Sequence, residues 1–170
     1  EYVIGTRRGI SNKKPIIGQY DVNREGSGDM YSKGANLLHT IRQLTNNDEL
    51  WRQTLRGLNE EFYHSTVTTK EIEEYISKSI GVDLSKVFDQ YLRDHRVPMF
   101  EFEINNGELS YRWNNVIDGF DMPVEVKIDN KNHILYPSTE FKKIKIKNLY
   151  INIDKDYYVY KKDLKIVVNN

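Results

Sequence analysis

The sequence contains no cysteine, which excludes disulfide bridges and thiolate metal ligands among its 170 residues. It also carries no net charge, because 25 lysines and arginines balance 25 aspartates and glutamates. No overall field therefore attracts nucleic acid or an anionic membrane surface. No apolar run approaches the roughly 20 residues that a membrane-spanning helix requires. We expect neither a nucleic-acid partner nor a membrane span in this segment.

Recognisable metal and nucleophile motifs are absent as well. The four histidines lie far apart, with no HExxH and no His-x-His, so no local pair presents two ligands on one face: His39, His64, His95 and His133. There is no G-x-S-x-G around any serine. Gly26 and Gly28 form G-x-G without the third glycine of a nucleotide-binding loop. The sequence predicts no metal site and no cofactor site within this chain.

The composition that remains is that of a folded protein, with 38% hydrophobic and 29% charged residues. A chain of this length forms one domain or two small ones. It begins at Glu1, with no initiator methionine and no signal peptide. We interpret it as a fragment of a longer protein.

The sequence pattern of the first part of the chain predicts helices. Residues 1–28 contain several glycines and a proline and are expected to be irregular. Four helices are then predicted, over residues 29–46, 48–64, 68–81 and 83–97, the third opening with the capping box Thr68-x-x-Glu71. Apolar residues recur every three or four positions in each helix, as in the second: Trp51, Leu55, Leu58 and Phe62.

After Pro98 the hydrophobic period changes from that of a helix to that of a strand. Phe100, Phe102 and Ile104 alternate with polar residues, and Asn106-Gly107 predicts a hairpin turn. Six further strands are predicted over residues 124–128, 133–136, 141–147, 149–153, 157–160 and 164–168. We therefore predict an α+β protein with a helical part, residues 1–97, and a small antiparallel β-sandwich, residues 98–170; a barrel is the alternative.

The lysines of residues 142–147 are interpreted as part of an edge strand. Lys143, Lys145 and Lys147 alternate with Ile144 and Ile146, so the lysines share one face of the strand. Lysines on an edge strand deter pairing with other chains, and we favour this reading over nucleic-acid binding.

Tyr31 is the residue that we single out in the first helix. Asp29 is expected to cap this helix by accepting hydrogen bonds from its first turn. Gly34, Ala35 and Leu38 are expected to share one side of it, with Ile41, and to pack closely on a neighbour. By itself, a tyrosine on such a helix is a core residue with a hydrogen-bonded hydroxyl.

Several segments taken together resemble the aminopeptidase N family of zinc metallopeptidases. Residues 30–42 resemble the Y-x-K-G-A segment of that family, with Tyr31, Lys33, Gly34 and Ala35 at the motif positions. Residues 51–63, 68–71, 81–98, 111–113 and 120–124 resemble later segments of the catalytic domain and of the β domain that follows it. The resemblance is good over residues 26–128, looser over 129–170 and poor over 1–25.

The resemblance implies a catalytic role for Tyr31. In that family the tyrosine donates a hydrogen bond to the oxyanion that forms when zinc-bound water attacks the peptide carbonyl. The helical part would then be the C-terminal part of a thermolysin-like catalytic domain. The intact protein would be a zinc aminopeptidase that releases N-terminal amino acids from peptides with a free N-terminus.

The family's zinc motif and amine-binding motif lie upstream of Y-x-K-G-A and do not occur in this sequence. The resemblance therefore implies that the N-terminal part of the same protein supplies them, and that this fragment alone is inactive. Two alternatives stay open. One is a non-catalytic homologue that serves as a protein- or peptide-binding module. The other is a carbohydrate- or peptide-binding β domain with exposed aromatics, for which Trp113 would have to lie at the surface.

Overall fold

A computed structural model describes residues 2–18, 26–147 and 150–165 of the chain. Helices form the first part and strands the second, so the predicted α+β class is confirmed. Within these described ranges, no helix has the length and apolar character needed to cross a membrane.

The described α-helices are α1 Tyr2–Gly5, α2 Met30–Thr45, α3 Asp48–Glu61, α4 Thr69–Ile80 and α5 Ser85–Phe88. A 3₁₀ turn, Thr6–Gly9, follows α1, and a π-helical turn, Asp89–Arg93, continues α5. Helices α2 to α4 correspond to the first three predicted helices, whereas the fourth, predicted over residues 83–97, is only α5 and the π turn, residues 85–93. Helix α1 and the 3₁₀ turn fall where we expected irregular chain. The Asn36 side chain of α2 donates hydrogen bonds to Val3 O and Thr6 Oγ1, a tertiary contact that supports these turns.

Local signals account well for the ends of α4. Thr68 Oγ1 accepts a hydrogen bond from the Glu71 amide, and the Glu71 carboxylate accepts one from the Thr68 amide, so the predicted capping box is confirmed. Gly81 ends the helix with φ of 71°, a left-handed conformation that favours glycine. The inward face of α3 differs from prediction at one position, because Thr54 is buried while Leu55 is 38% exposed.

The described strands are β1 Met99–Asn105, β2 Glu108–Asn114, β3 Val124–Ile128, β4 Lys131–Leu135, β5 Lys142–Lys145, β6 Ile151–Ile153 and β7 Tyr160–Asp163. They form a four-stranded sheet of order β5-β2-β1-β7 and a three-stranded sheet of order β4-β3-β6. The hairpin between β1 and β2 turns at Asn106 and Gly107, both with positive φ, as predicted. Strand β5 lies at a sheet edge, which agrees with the interpretation of its lysines.

The strand arrangement corrects the prediction in two respects. Strand β7 pairs with β1 in parallel, so the larger sheet is mixed and not wholly antiparallel. The strand predicted over residues 157–160 begins only at Tyr160, because the Tyr158 amide donates to Thr40 Oγ1 of α2 and not to a neighbouring strand. Leu164 lies in a turn after β7, whereas residues 166–168 and Leu149 lie outside the described residues.

One hydrophobic core connects the helices to both sheets. Ile41 of α2, Tyr91 of the π turn, Phe100 of β1 and Val126 of β3 are all fully buried members of the same cluster. Trp113 of β2 is 1% exposed, and its ring Nε1 donates to Met122 O at 2.9 Å. The β part is therefore packed against the helices that precede it.

Candidate functional site

Tyr31 lies in the first turn of α2 with its side chain 79% exposed. It is therefore not the core residue that helix patterning alone would indicate. Leu38 is 41% exposed, and Gly34 and Ala35 are only half-buried, so the expected packed side of the helix is wrong except at Ile41. The face that carries Tyr31 is the outer face of α2 in the part of the chain described here.

The face of α2 that is buried is largely polar. Lys33, Asn36 and Thr40 are fully buried, together with Leu37 and Ile41. These residues recur three or four positions apart and so share one helix face. A sequence pattern that treats lysine and asparagine as surface residues places this face outward, which explains why the predicted orientation of the helix is wrong.

Lys33 fixes the start of α2 to the chain that follows the π turn. Its Nζ donates to Asp94 O at 3.1 Å and to His95 O at 3.2 Å. Burial lowers the pKa of Lys33, and the nearby charges of Asp94 and Asp29 act in the opposite direction. This lysine of the Y-x-K-G-A motif therefore holds in place the helix turn that carries Tyr31.

Asp29 precedes α2, but its side chain does not cap the helix, which corrects our expectation. Its carboxylate instead accepts hydrogen bonds from the Ser11 amide, the Ser11 hydroxyl and the Asn12 amide, at 2.8 to 2.9 Å. Burial raises the pKa of Asp29, but these hydrogen bonds outweigh it and leave the pKa below its ordinary value. Asp29 thus ties the N-terminal segment to the base of α2.

Arg7 joins the other end of this N-terminal segment to α2. Its Nε donates to Asn36 Oδ1 at 2.6 Å, and its two terminal nitrogens donate to Lys155 O at 2.8 Å and Asp156 O at 3.2 Å. The guanidinium also lies 5.2 Å from the centre of the Tyr158 ring, a cation–π distance. Arg7 therefore bridges α2 and the loop of residues 154–158, which lies between β6 and β7.

Further contacts hold the 154–158 loop against the helices. The Tyr158 amide donates to Thr40 Oγ1 at 3.0 Å, and the Tyr91 hydroxyl donates to Tyr158 O at 2.6 Å. His39 Nε2 lies 3.2 Å from an Asp156 carboxylate oxygen. The helix that presents Tyr31 is consequently bonded to the β part of the chain through its middle turns.

The described residues contain no group of three or more histidine, aspartate or glutamate side chains that could hold a metal ion. His39 is engaged with Asp156, and the ring of His64 lies edge-on to Tyr63. This part of the chain therefore does not fit a catalytic zinc.

Two surface grooves lie away from Tyr31. One, of about 850 Å³, runs along β3, the 154–158 loop and the start of β7; the other, of about 740 Å³, lies against α4 and the π turn. Tyr31 lines neither of them. Because Trp113 is buried, it cannot serve the alternative of a binding surface built on exposed β-domain aromatics.

Comparison with known proteins gives a structural relationship only. No protein-family model matches the chain, and no curated protein matches it. A crystal structure of Legionella pneumophila aminopeptidase A, in complex with aspartic acid, has a similar fold, with a TM-score of 0.60 and 16% sequence identity. The match covers 80% of this chain and 18% of that chain. This chain thus shares the fold of a part of an aminopeptidase, and it spans less than a fifth of that protein's length.

Proposed function

We propose that this chain is part of a zinc aminopeptidase of the aminopeptidase N family, which releases N-terminal amino acids from peptides. Residues 1–97 would form the C-terminal part of its catalytic domain, and residues 98–170 the β-sandwich domain that follows. Tyr31 is its catalytic residue in this proposal. One observation carries it: Tyr31 is exposed on a helix whose opposite face is anchored by the buried Lys33 of the same motif.

The chemistry of a tyrosine at this position suits stabilisation of an oxyanion. A neutral phenol is a hydrogen-bond donor at neutral pH. The first turn of a helix also carries a partial positive charge, which favours an anionic oxygen nearby. A donor that is held in place and directed at developing negative charge contributes roughly 10²- to 10³-fold in rate. Anchoring of α2 by Lys33 supplies the fixed position that this effect requires.

The metal-binding half of the proposed site lies outside this chain. Because the described residues offer no cluster that fits zinc, we assign to this chain only the donor role of Tyr31. The isolated chain is expected neither to retain zinc nor to cleave peptides. Equilibration with zinc, dialysis and metal analysis of the purified chain test this, and one tightly bound zinc per chain would contradict it.

The decisive experiment is the substitution Tyr31→Phe in the intact protein, assayed on peptides with a free N-terminus. The ring is kept and only the donor is removed, so kcat should fall by roughly 10²-fold or more. The melting temperature should change little, because the side chain is 79% exposed. Tyr63→Phe is the matched control, since Tyr63 is also an exposed tyrosine near a helix end, and it should stay fully active.

The outcomes separate the proposal from its alternative. Full activity of Tyr31→Phe would show that Tyr31 is not catalytic. An intact wild-type protein that binds peptides without cleaving them would support the non-catalytic binding module instead.

A further inference from the structure

We propose that Arg7 is a positioning residue for Tyr31, through which the β part of the chain sets the place of the catalytic helix. This inference rests on the function proposed above for Tyr31. It starts from the exposure of Tyr31: a side chain that packs so little on the described residues depends on its helix backbone for its position. The relevant contacts are therefore those that hold the first two turns of α2.

A continuous path of hydrogen bonds leads from the 154–158 loop to the residue beside Tyr31. Lys155 O and Asp156 O accept from the Arg7 guanidinium, whose Nε donates to Asn36 Oδ1. The Asn36 amide nitrogen in turn donates to Ser32 O at 2.8 Å. Asn36 is fully buried, so its bonds have no competition from solvent. Arg7 is the residue of this path that contacts both the loop and the helix.

Arginine is suited to this place by the geometry of its side chain. The guanidinium is a planar fork that directs several N–H donors in fixed directions. Here it serves two backbone carbonyls and a side-chain amide while its face lies against Tyr158. Lysine provides charge and donors from a single nitrogen, so it cannot reach all three acceptors with the same geometry. Methionine keeps apolar length and provides no donor.

Loss of Arg7 is expected to affect catalysis through the position of Tyr31. Without it, Asn36 Oδ1 and two carbonyls of the loop lose a donor, and the first turns of α2 are held less firmly relative to the β part. A displacement of about 1 Å at a reacting group costs up to roughly 10²-fold in rate. We expect Arg7→Met to lower kcat by about tenfold or more with a smaller change in KM, and Arg7→Lys to give an intermediate kcat.

A matched control lies next to Arg7 in the chain. Arg8 is exposed and belongs to the same 3₁₀ turn, so Arg8→Met removes an arginine without touching the path to Asn36. It should leave kcat and KM unchanged. Thermal unfolding of each variant, measured in the assay buffer, checks that the enzyme is folded at the assay temperature.

A double-mutant cycle in the intact enzyme separates positioning from a general structural effect. If Arg7 acts through the Tyr31 hydroxyl, Arg7→Met should lower kcat much less in a Tyr31→Phe background than in the wild type. Factors that simply multiply would mean that Arg7 acts independently of Tyr31, and would overturn the inference. Where Arg7→Met does not fold, the same cycle with Arg7→Lys serves in its place, because lysine keeps the charge but cannot bond Asn36 and both carbonyls at once.

The possible results separate the catalytic role of Tyr31 from the positioning role of Arg7. A Tyr31→Phe enzyme with full activity removes the catalytic role of Tyr31, and this inference with it, while the aminopeptidase activity of the intact protein stands. A Tyr31→Phe enzyme that is slow, beside an Arg7→Met enzyme with normal kcat, leaves the proposed function in place and refutes the role of Arg7 alone. A slow Arg7→Met enzyme whose effect largely disappears in the Tyr31→Phe background is the expected result.

Discussion

Replacement of Asp29 by asparagine tests how the base of the Tyr31 helix is built. If Asp29 were a simple helix cap, asparagine would serve about equally well, because the two residues are equivalent at that position. In the structure its two carboxylate oxygens accept three hydrogen bonds, two from backbone amides and one from the Ser11 hydroxyl. Asparagine has one acceptor oxygen, so either orientation of its amide points an N–H₂ group at a backbone N–H of Ser11 or Asn12.

The size of the effect follows from these contacts. A hydrogen bond to a charged group contributes about 1.5 to 3 kcal/mol, and a donor left without a partner in a partly buried site costs about 1 to 3 kcal/mol. Because such contributions overlap, we expect Asp29→Asn to lower the free energy of unfolding at pH 7 by about 2 to 4 kcal/mol. Asp83→Asn is the control, since the bond that Asp83 accepts from the Ser85 amide is local and exposed, and it should cost less than about 1 kcal/mol.

The effect should depend on pH in one direction. The pKa of Asp29 is lower in the folded chain than its ordinary value of 3.8. Its contribution to stability is therefore complete above that ordinary value and is lost as the pH falls through the lowered folded pKa. Urea unfolding, followed by the fluorescence of the buried Trp51 and Trp113, measures wild type and variant from pH 7 to pH 3. A difference below about 0.5 kcal/mol at pH 7, or one that grows on acidification, would refute the reasoning.

Three further substitutions test other contacts by the same unfolding measurement. Lys33→Met removes the donor to the part-buried carbonyls of Asp94 and His95 and should cost about 1 to 3 kcal/mol, while Lys33→Arg, which is too large for the fully buried site of the Lys33 side chain, should not restore the loss. Gly26→Ala would place a methyl group 1.9 Å from Ile16 O, so backbone must move, at about 1 to 3 kcal/mol. Glu101→Gln removes the charge that binds Arg112 at 2.8 Å in a site where Glu101 is 2% exposed, and should cost about 2 kcal/mol. A loss below about 0.5 kcal/mol in any of them would contradict the contact concerned.

The elements that local sequence predicted well are those whose signals are local. The capping box Thr68-x-x-Glu71 and the glycine at position 81 define both ends of α4, and both work through hydrogen bonds or dihedral angles within a few residues. The turn at Asn106 and Gly107 sets the β1–β2 pairing in the same way. Tyr31 as a candidate site came from a resemblance over several segments, and the proposal that it is catalytic still awaits its test.

What the sequence could not supply is the environment of α2. Patterning treats Lys33, Asn36 and Asp29 as surface or capping residues, because their partners lie far away in the chain or are backbone carbonyls that carry no sequence signal. The same applies to Arg7, whose acceptors are the carbonyls of Lys155 and Asp156.

The parallel pairing of β7 with β1 and the irregular path through Tyr158 likewise depend on partners that lie far away in the sequence. Hydrophobic period and turn residues report the shape of short segments, and so the sequence by itself determined where α2 to α4 and β1 to β6 lie. Burial of a polar side chain is favourable only when specific distant groups satisfy it. The tertiary structure alone therefore decided which face of the Tyr31 helix is anchored and which is left exposed.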